Sequence, residues 1–154
     1  MAGNKILVPF NFTDFDERVL HHITMIYAGV PRITLTLFHV YTALPEIDTY
    51  NHPGLTRLKG TMAKLSEEDR KKERDMKQII EDLYQAGFLE DQLNYVVKPR
   101  QKSVGAEIVD MVLKESYDTI VMSRKPGKVT RAFTRNVHDK LLSSLKDVTI
   151  SIII

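Results

Sequence analysis

The residues from Thr119 to Leu142 carry the densest reactive chemistry in the chain. Arg124, Lys125, Lys128, Arg131 and Arg135 follow one another with no acid until Asp139. Such a cluster suits an anion, a phosphate above all, bound through charge-assisted hydrogen bonds. Thr119 to Met122 reads as a buried strand, and the residues after Thr134 read as a helix. The cations therefore fall on a strand-to-helix junction, where α/β proteins commonly bind phosphates. A backbone cradle there needs several glycines, because N–H groups must approach the phosphate closely at positive φ. This junction has only Gly127, and Pro126 removes one N–H donor. Position thus points to a nucleotide site and residue type to an altered one. The plainer alternative is a solvated basic loop whose cations pair with acids elsewhere. Phe133 is the single aromatic in the cluster, so no stacking platform for nucleic acid is expected.

Other candidates have simpler explanations. Asp14, Asp16 and Glu17 follow Thr13. A hydroxyl N-cap, an acid three residues on and negative charge in the first turn describe a helix start better than a metal site. His21 and His22 are neighbours, about 100° apart around a helix, and do not form the i, i+4 pair that chelates zinc. His39 lies near a strand end and could reach a cleft. His138 is next to Asp139, but helix neighbours do not face each other. No nucleophile–base–acid set emerges, so a structural role is expected for each histidine, and no metal or catalytic residue is assigned. The absence of cysteine rules out disulfides and thiol chemistry and fits a reducing cytoplasm. The net charge of +2 means that any anion preference must come from local clustering.

The elements that would position these residues follow from patterning. Ile6-Leu7-Val8 is a short buried strand ending at Pro9. A helix runs from Thr13 to about Ala28, with Val19, Leu20, Ile23 and Ile26 toward the core, and stops at Gly29 and Pro31. Arg32 to Val40 is a β-branched, apolar second strand. Tyr41 to about Leu65 holds Pro45, Pro53, Gly54 and Gly60 and reads as a long irregular connection. Ser66-Glu67-Glu68-Asp69 opens the next helix with a capping-box pattern. Met76, Ile79, Ile80, Leu83 and Tyr84 follow at helical spacing before Gly87. The run Glu67 to Asp75 is almost wholly charged, as expected of a solvated helix half with mutual i, i+4 pairing. A docking face for a protein partner is the lesser reading of that run. Leu93 to Val97 is a third strand, and Ser103 to Ser116 a third helix with Val104, Ile108, Met111 and Val112 on one face. A fourth helix, capped by Thr134 or Asn136, ends near Leu145. Val148 to Ile154 is a fifth strand. The alternation predicts one α/β domain over residues 1–154: a doubly wound, five-stranded parallel sheet, Rossmann-like, with helices on both faces. No apolar run reaches the roughly 20 residues of a membrane span. Met1 to Lys5 leads straight into a strand, so no signal peptide or membrane insertion is expected.

Several segments resemble the universal stress protein family, nearly end to end. Lys5-Ile6-Leu7-Val8-Pro9 is similar to that family's first strand, and Leu37-Phe38-His39-Val40 to the end of its second. Gly105-Ala106-Glu107-Ile108 and Tyr117-Asp118-Thr119-Ile120-Val121-Met122 resemble its third helix and fourth strand. Asn136-Val137-His138-Asp139-Lys140-Leu141 resembles its last helix. The resemblance implies a fold of the adenine nucleotide alpha hydrolase-like type. Nucleotide-binding members carry a glycine after the fourth strand, another three residues on, and a Gly-Ser or Gly-Thr pair opening the last helix. Here those positions hold Ser123, then Pro126 or Gly127, then Arg135-Asn136. An acid usual after the first strand is replaced by Asn11, followed by Phe12 in place of a small residue.

The expectation is therefore a cytoplasmic, non-enzymatic stress-response binding or signalling protein that does not bind ATP in the usual way and needs no cofactor. The alternative is an ATP- or AMP-binding member with an unorthodox phosphate loop, capable at most of slow hydrolysis. Its contacts would be Asn11 and Val40 near the base, with Ser123, Arg124, Gly127, Arg135 and Asn136 toward the phosphates. A third reading is a regulatory module of a transporter or other partner. The apolar terminal strand Val148 to Ile154 is a hazard unless covered, and the resemblance implies the cover: a homodimer through this strand.

Overall fold

Ile6, Leu7 and Val8 are all fully buried, which requires cover on both faces of their strand. The computed structural model describes residues 3–43, 54, 56–124 and 135–154, and it supplies that cover. Strand β1 (Asn4–Pro9) is the centre of a five-stranded sheet, with β2 (Ile33–Tyr41) on one side and β4 (Thr119–Ser123) on the other. Beyond them lie the edge strands β3 (Leu93–Pro99) and β5 (Thr149–Ile153), in the order β3-β2-β1-β4-β5. Every pairing is parallel, with Ile6 opposite Leu35 on one side and Thr119 on the other. The predicted α/β class, strand number and parallel sheet are all observed.

Helices α1 (Asp14–Tyr27) and α2 (Thr56–Gln85) cover one face, and α3 (Val104–Glu115) and α4 (Arg135–Ser144) the other. Strand side chains alternate between two cores, as the pleat demands. Ile6, Val8, Leu35, Leu37 and Val121 meet Val19, Ile23, Met76 and Leu83 on the α1/α2 side. Leu7, Phe38, Ile120 and Met122 meet Ile108, Val112 and Leu141 on the other. Burying one such side chain contributes about 1.5–3 kcal/mol, so both layers are strongly held. Gly105 lets α3 and α4 approach: a Cβ there would lie 3.2 Å from Lys140 Cβ. That contact fixes where the start of α4 sits above the sheet.

Four expectations need correction. Helix α2 begins at Thr56, ten residues before Ser66, so the capping-box pattern there lies inside a helix. Good helix formers from Arg57 to Leu65 outweigh the cost of about 1 kcal/mol for an interior glycine at Gly60. Tyr84 is 46% exposed, because the core stripe of α2 runs through Met76 and Leu83 and leaves Tyr84 on its flank. Ile26 is also exposed; Tyr27, four residues after Ile23, takes the inward position in the last turn of α1. The pairing expected within Glu67 to Asp75 is not found among the described residues. The ion pairs there are Lys98–Glu107 and Lys102–Asp110. Side-chain entropy offsets most of what an exposed pair gains. Smaller shifts at strand starts have a local cause: Arg32 and Asp147 have φ of 60° and 56°, so β2 and β5 each begin one residue later than expected, at Ile33 and Thr149. Most of the expected irregular connection, residues 44–53 and 55, lies outside the described residues.

Candidate functional site

The strand order reverses direction between β1 and β4, so a ligand crevice is expected beyond the C-terminal ends of those two strands. The wall formed by the β1–α1 turn is built around one side chain. Asp16 is fully buried, and its carboxylate accepts four hydrogen bonds. Oδ2 receives the N–H of Asn11 at 2.9 Å, the N–H of Thr13 at 3.2 Å and the Thr13 hydroxyl at 3.1 Å. Oδ1 receives the Ser123 hydroxyl at 2.8 Å. A carboxylate buried in an α/β interior is tolerable only with such partners. Here it sits at the N-terminus of α1, where the helix dipole also favours negative charge. The expected cap is present and does more than end a helix: it ties the β1 turn to the end of β4.

Between the two amides, Phe12 takes the left-handed conformation at φ 57°. That backbone costs an aromatic residue about 1–3 kcal/mol. Its ring lies edge-on to Phe10 and to His39, each at 5.0 Å between centroids. Two such contacts, worth about 0.5–1.5 kcal/mol each, offset the strain. His39 is buried, and its Nδ1 is 2.9 Å from the Phe10 carbonyl oxygen. A carbonyl can only accept, so Nδ1 carries the proton and Nε2 is left as an acceptor, with no hydrogen-bond partner among the described residues. Burial, the largest influence, pulls the histidine pKa below its ordinary value of 6.5. The Phe10 hydrogen bond opposes it, Lys72 adds to it, and Asp69 and Asp16 push the other way. The neutral ring is the form that fits this pocket.

Pro9, Phe10, Asn11, Phe38, His39, Val40, Val104 and Ile108 line a cavity of about 70 Å³ at this edge. Ligand pockets generally span about 300–1,000 Å³, so the space enclosed by the described residues is small. Larger depressions lie elsewhere, one of about 340 Å³ beside the exposed half of α2 and one of about 520 Å³ beside β3. Neither is lined by β1 or β4; the small cavity touches the end of β1 and the turn after it, with the rest of its lining from β2 and α3.

The residues singled out from the sequence are only partly brought together. Asn11 and Val40 both line the small cavity. Ser123 is buried against Asp16. The Arg124 side chain is exposed, and its N–H donates to the Ile153 carbonyl at 2.9 Å, continuing the β4–β5 ladder. Gly127, with Lys125, Lys128 and Arg131, lies outside the described residues. Arg135 and Asn136 open α4. Sequence reasoning missed two features. The Asp16–Ser123 bond joins residues 107 apart, for which no local signal exists. Lys98 and the buried Glu107 form an ion pair at 3.0 Å across the β3–α3 connection, which no local pattern had singled out. Among the described residues no group of His, Cys, Asp or Glu could hold a metal ion, and no helix is long and apolar enough to cross a membrane.

Known structures share this architecture. Universal stress protein UspA from Lactobacillus plantarum superposes with a TM-score of 0.64 at 15% identity, covering 100% of this chain and 99% of that one. The universal stress protein from Archaeoglobus fulgidus in complex with dAMP gives 0.61 at 15% identity, covering all of both chains. A family protein from Arabidopsis thaliana with AMP bound gives 0.57 at 12% identity, over 97% and 90% of the two chains. No curated protein sequence matches significantly. The model of the universal stress protein family matches residues 3–150. With nearly its whole length matched, the chain belongs to the universal stress protein family.

Proposed function

We propose that this chain is a cytoplasmic, non-enzymatic stress-response binding protein whose crevice does not take ATP in the usual way. The observation that carries this reading is the use of Asp16 as an internal anion. The amides of Asn11 and Thr13, at the turn where the crevice opens, already donate to its carboxylate. A phosphate arriving there would have to displace a buried, four-fold bonded carboxylate. Leaving such a charge unpaired costs about 3–5 kcal/mol, comparable to a millimolar binding energy of about 4 kcal/mol. Calorimetric titration with ATP, AMP and cyclic dinucleotides tests the reading. Dissociation constants no tighter than millimolar are expected, and a micromolar constant for ATP would overturn it.

A second reading is favoured by the meeting of Asn11 and Val40 at one cavity, since two of the similar structures hold dAMP and AMP. An adenine base would rest there, with the cations of Arg124 and Arg135 toward the phosphate and Gly127 and Asn136 beside it. In this reading Arg124→Ala weakens AMP binding, and unchanged affinity removes that assignment.

We also infer a homodimer through β5. Ile152 within it and Ile154 just past its end are 36% and 66% exposed at an unpaired sheet edge, a hazard unless covered. Sedimentation of a monomer at micromolar concentration would remove this inference.

A further inference from the structure

The opposite edge of the sheet carries a different surface. Strand β3 pairs only with β2 among the described strands. Its outward main-chain groups can be identified. The N–H of Arg100 donates to the Tyr41 carbonyl at 2.8 Å, so even-numbered residues of this segment turn their amides toward β2. Strand geometry alternates, which turns the main chain of Leu93, Tyr95 and Val97 outward. Pro99 has no N–H, and Lys98 precedes it, so the C-terminal end of the edge has the usual protection against added strands. The stretch from Leu93 to Val97 has none.

That unprotected stretch borders a groove of about 520 Å³ between β3 and α2. Its apolar lining is Ile80, Tyr84, Leu93 and Tyr95, with Asn94 at the side. Tyr84 is 46% exposed, and the nearby Leu89 is 62% exposed. Charge on the groove comes from Glu81 and Glu90, and no basic residue is among the lining residues described. Open backbone donors and acceptors, an apolar trough for alternate side chains and an acidic rim together match recognition by strand addition.

We propose that the β3 edge docks an extended segment of a partner protein, with apolar residues at alternate positions and Lys or Arg flanking them. The segment lies alongside Leu93 to Val97. Alternate side chains enter the groove against Ile80, Tyr84 and Tyr95, and the flanking cations meet Glu81 and Glu90. Complementary charge sets orientation and selects against acidic segments.

The test uses the full chain and three fluorescein-labelled heptapeptides, followed by fluorescence anisotropy. One alternates Val with Thr between terminal Lys residues, one carries Glu in place of Lys, and one is N-methylated along the pairing edge. Saturable binding of the Lys peptide alone is expected, with slowed amide exchange over residues 93–97. The double variant E81K/E90K, altered at two exposed positions, should keep its fold by circular dichroism and weaken binding about tenfold. Equal binding of the acidic or N-methylated peptide would overturn the proposal. So would protection of residues 149–153 in place of 93–97, no saturable binding, or self-association of the chain through this edge.

Discussion

The two walls of the crevice handle anions differently. On the β1 side the negative charge is supplied from within, by Asp16, and the amides of Asn11 and Thr13 donate to it. On the β4 side the described part, Ser123 and Arg124, is also bonded internally, but the sequence that follows is rich in Lys and Arg. The contrast teaches that the Asn11 and Thr13 amides offer a phosphate no free donor, so affinity for phosphate is to be sought on the β4 side, where the sequence supplies cations. Side-chain cations bind anions with less geometric demand than a backbone cradle, and salt screens them more strongly.

The largest expected effect comes from breaking the closed wall. Asp16→Ala removes the acceptor of four hydrogen bonds and leaves buried donors unmatched. A loss of about 3–5 kcal/mol is expected, read as a fall of roughly 10 °C in Tm. A change below about 1 kcal/mol would show that the carboxylate does not hold the two strands together. Ser123→Gly is gentler, since it restores the residue type of nucleotide-binding relatives while removing one charge-assisted bond. It should cost about 1.5–3 kcal/mol in urea unfolding and leave the β1 amides closed, so ATP binding should not appear. Tight ATP binding by this variant would shift the explanation from Asp16 to the serine.

The acid limb of stability sharpens the same region. Folded His39 resists protonation more than the unfolded chain does. Its neutral form is therefore undisturbed above pH 6.5, and stability falls as pH drops below that value toward the lowered folded pKa. His39→Gln should flatten this limb in pH-dependent urea titrations; an unchanged slope would contradict the buried neutral ring. The smallest effect belongs to Lys102 and Asp110, whose contact is exposed although each shifts the other's pKa outward from its usual value. Lys102→Ala should leave the urea midpoint unmoved within error, since solvent screens such pairs.

What the sequence made legible followed burial. Ile6 to Val8 and Thr119 to Met122 read correctly as strands because they are buried on both faces, which leaves continuous apolar runs. The start of α2 was illegible because Gly60 interrupts its first turns and the capping-box pattern at Ser66 offered a more obvious start. Periodicity reports only faces that are buried. Tyr84 followed the helical spacing yet lies outside the core, since spacing does not tell the centre of a stripe from its flank. At the site, Asn11 and Val40, named from the resemblance, line one cavity. The Asp16–Ser123 bond was not legible, because it depends on how two distant strand ends meet.

The most direct test of the closed wall is the amide resonances of Asn11 and Thr13 during titration with ATP. Both should stay unmoved to millimolar nucleotide while Asp16 holds them. Saturating shifts of these two amides at micromolar ATP would contradict the account.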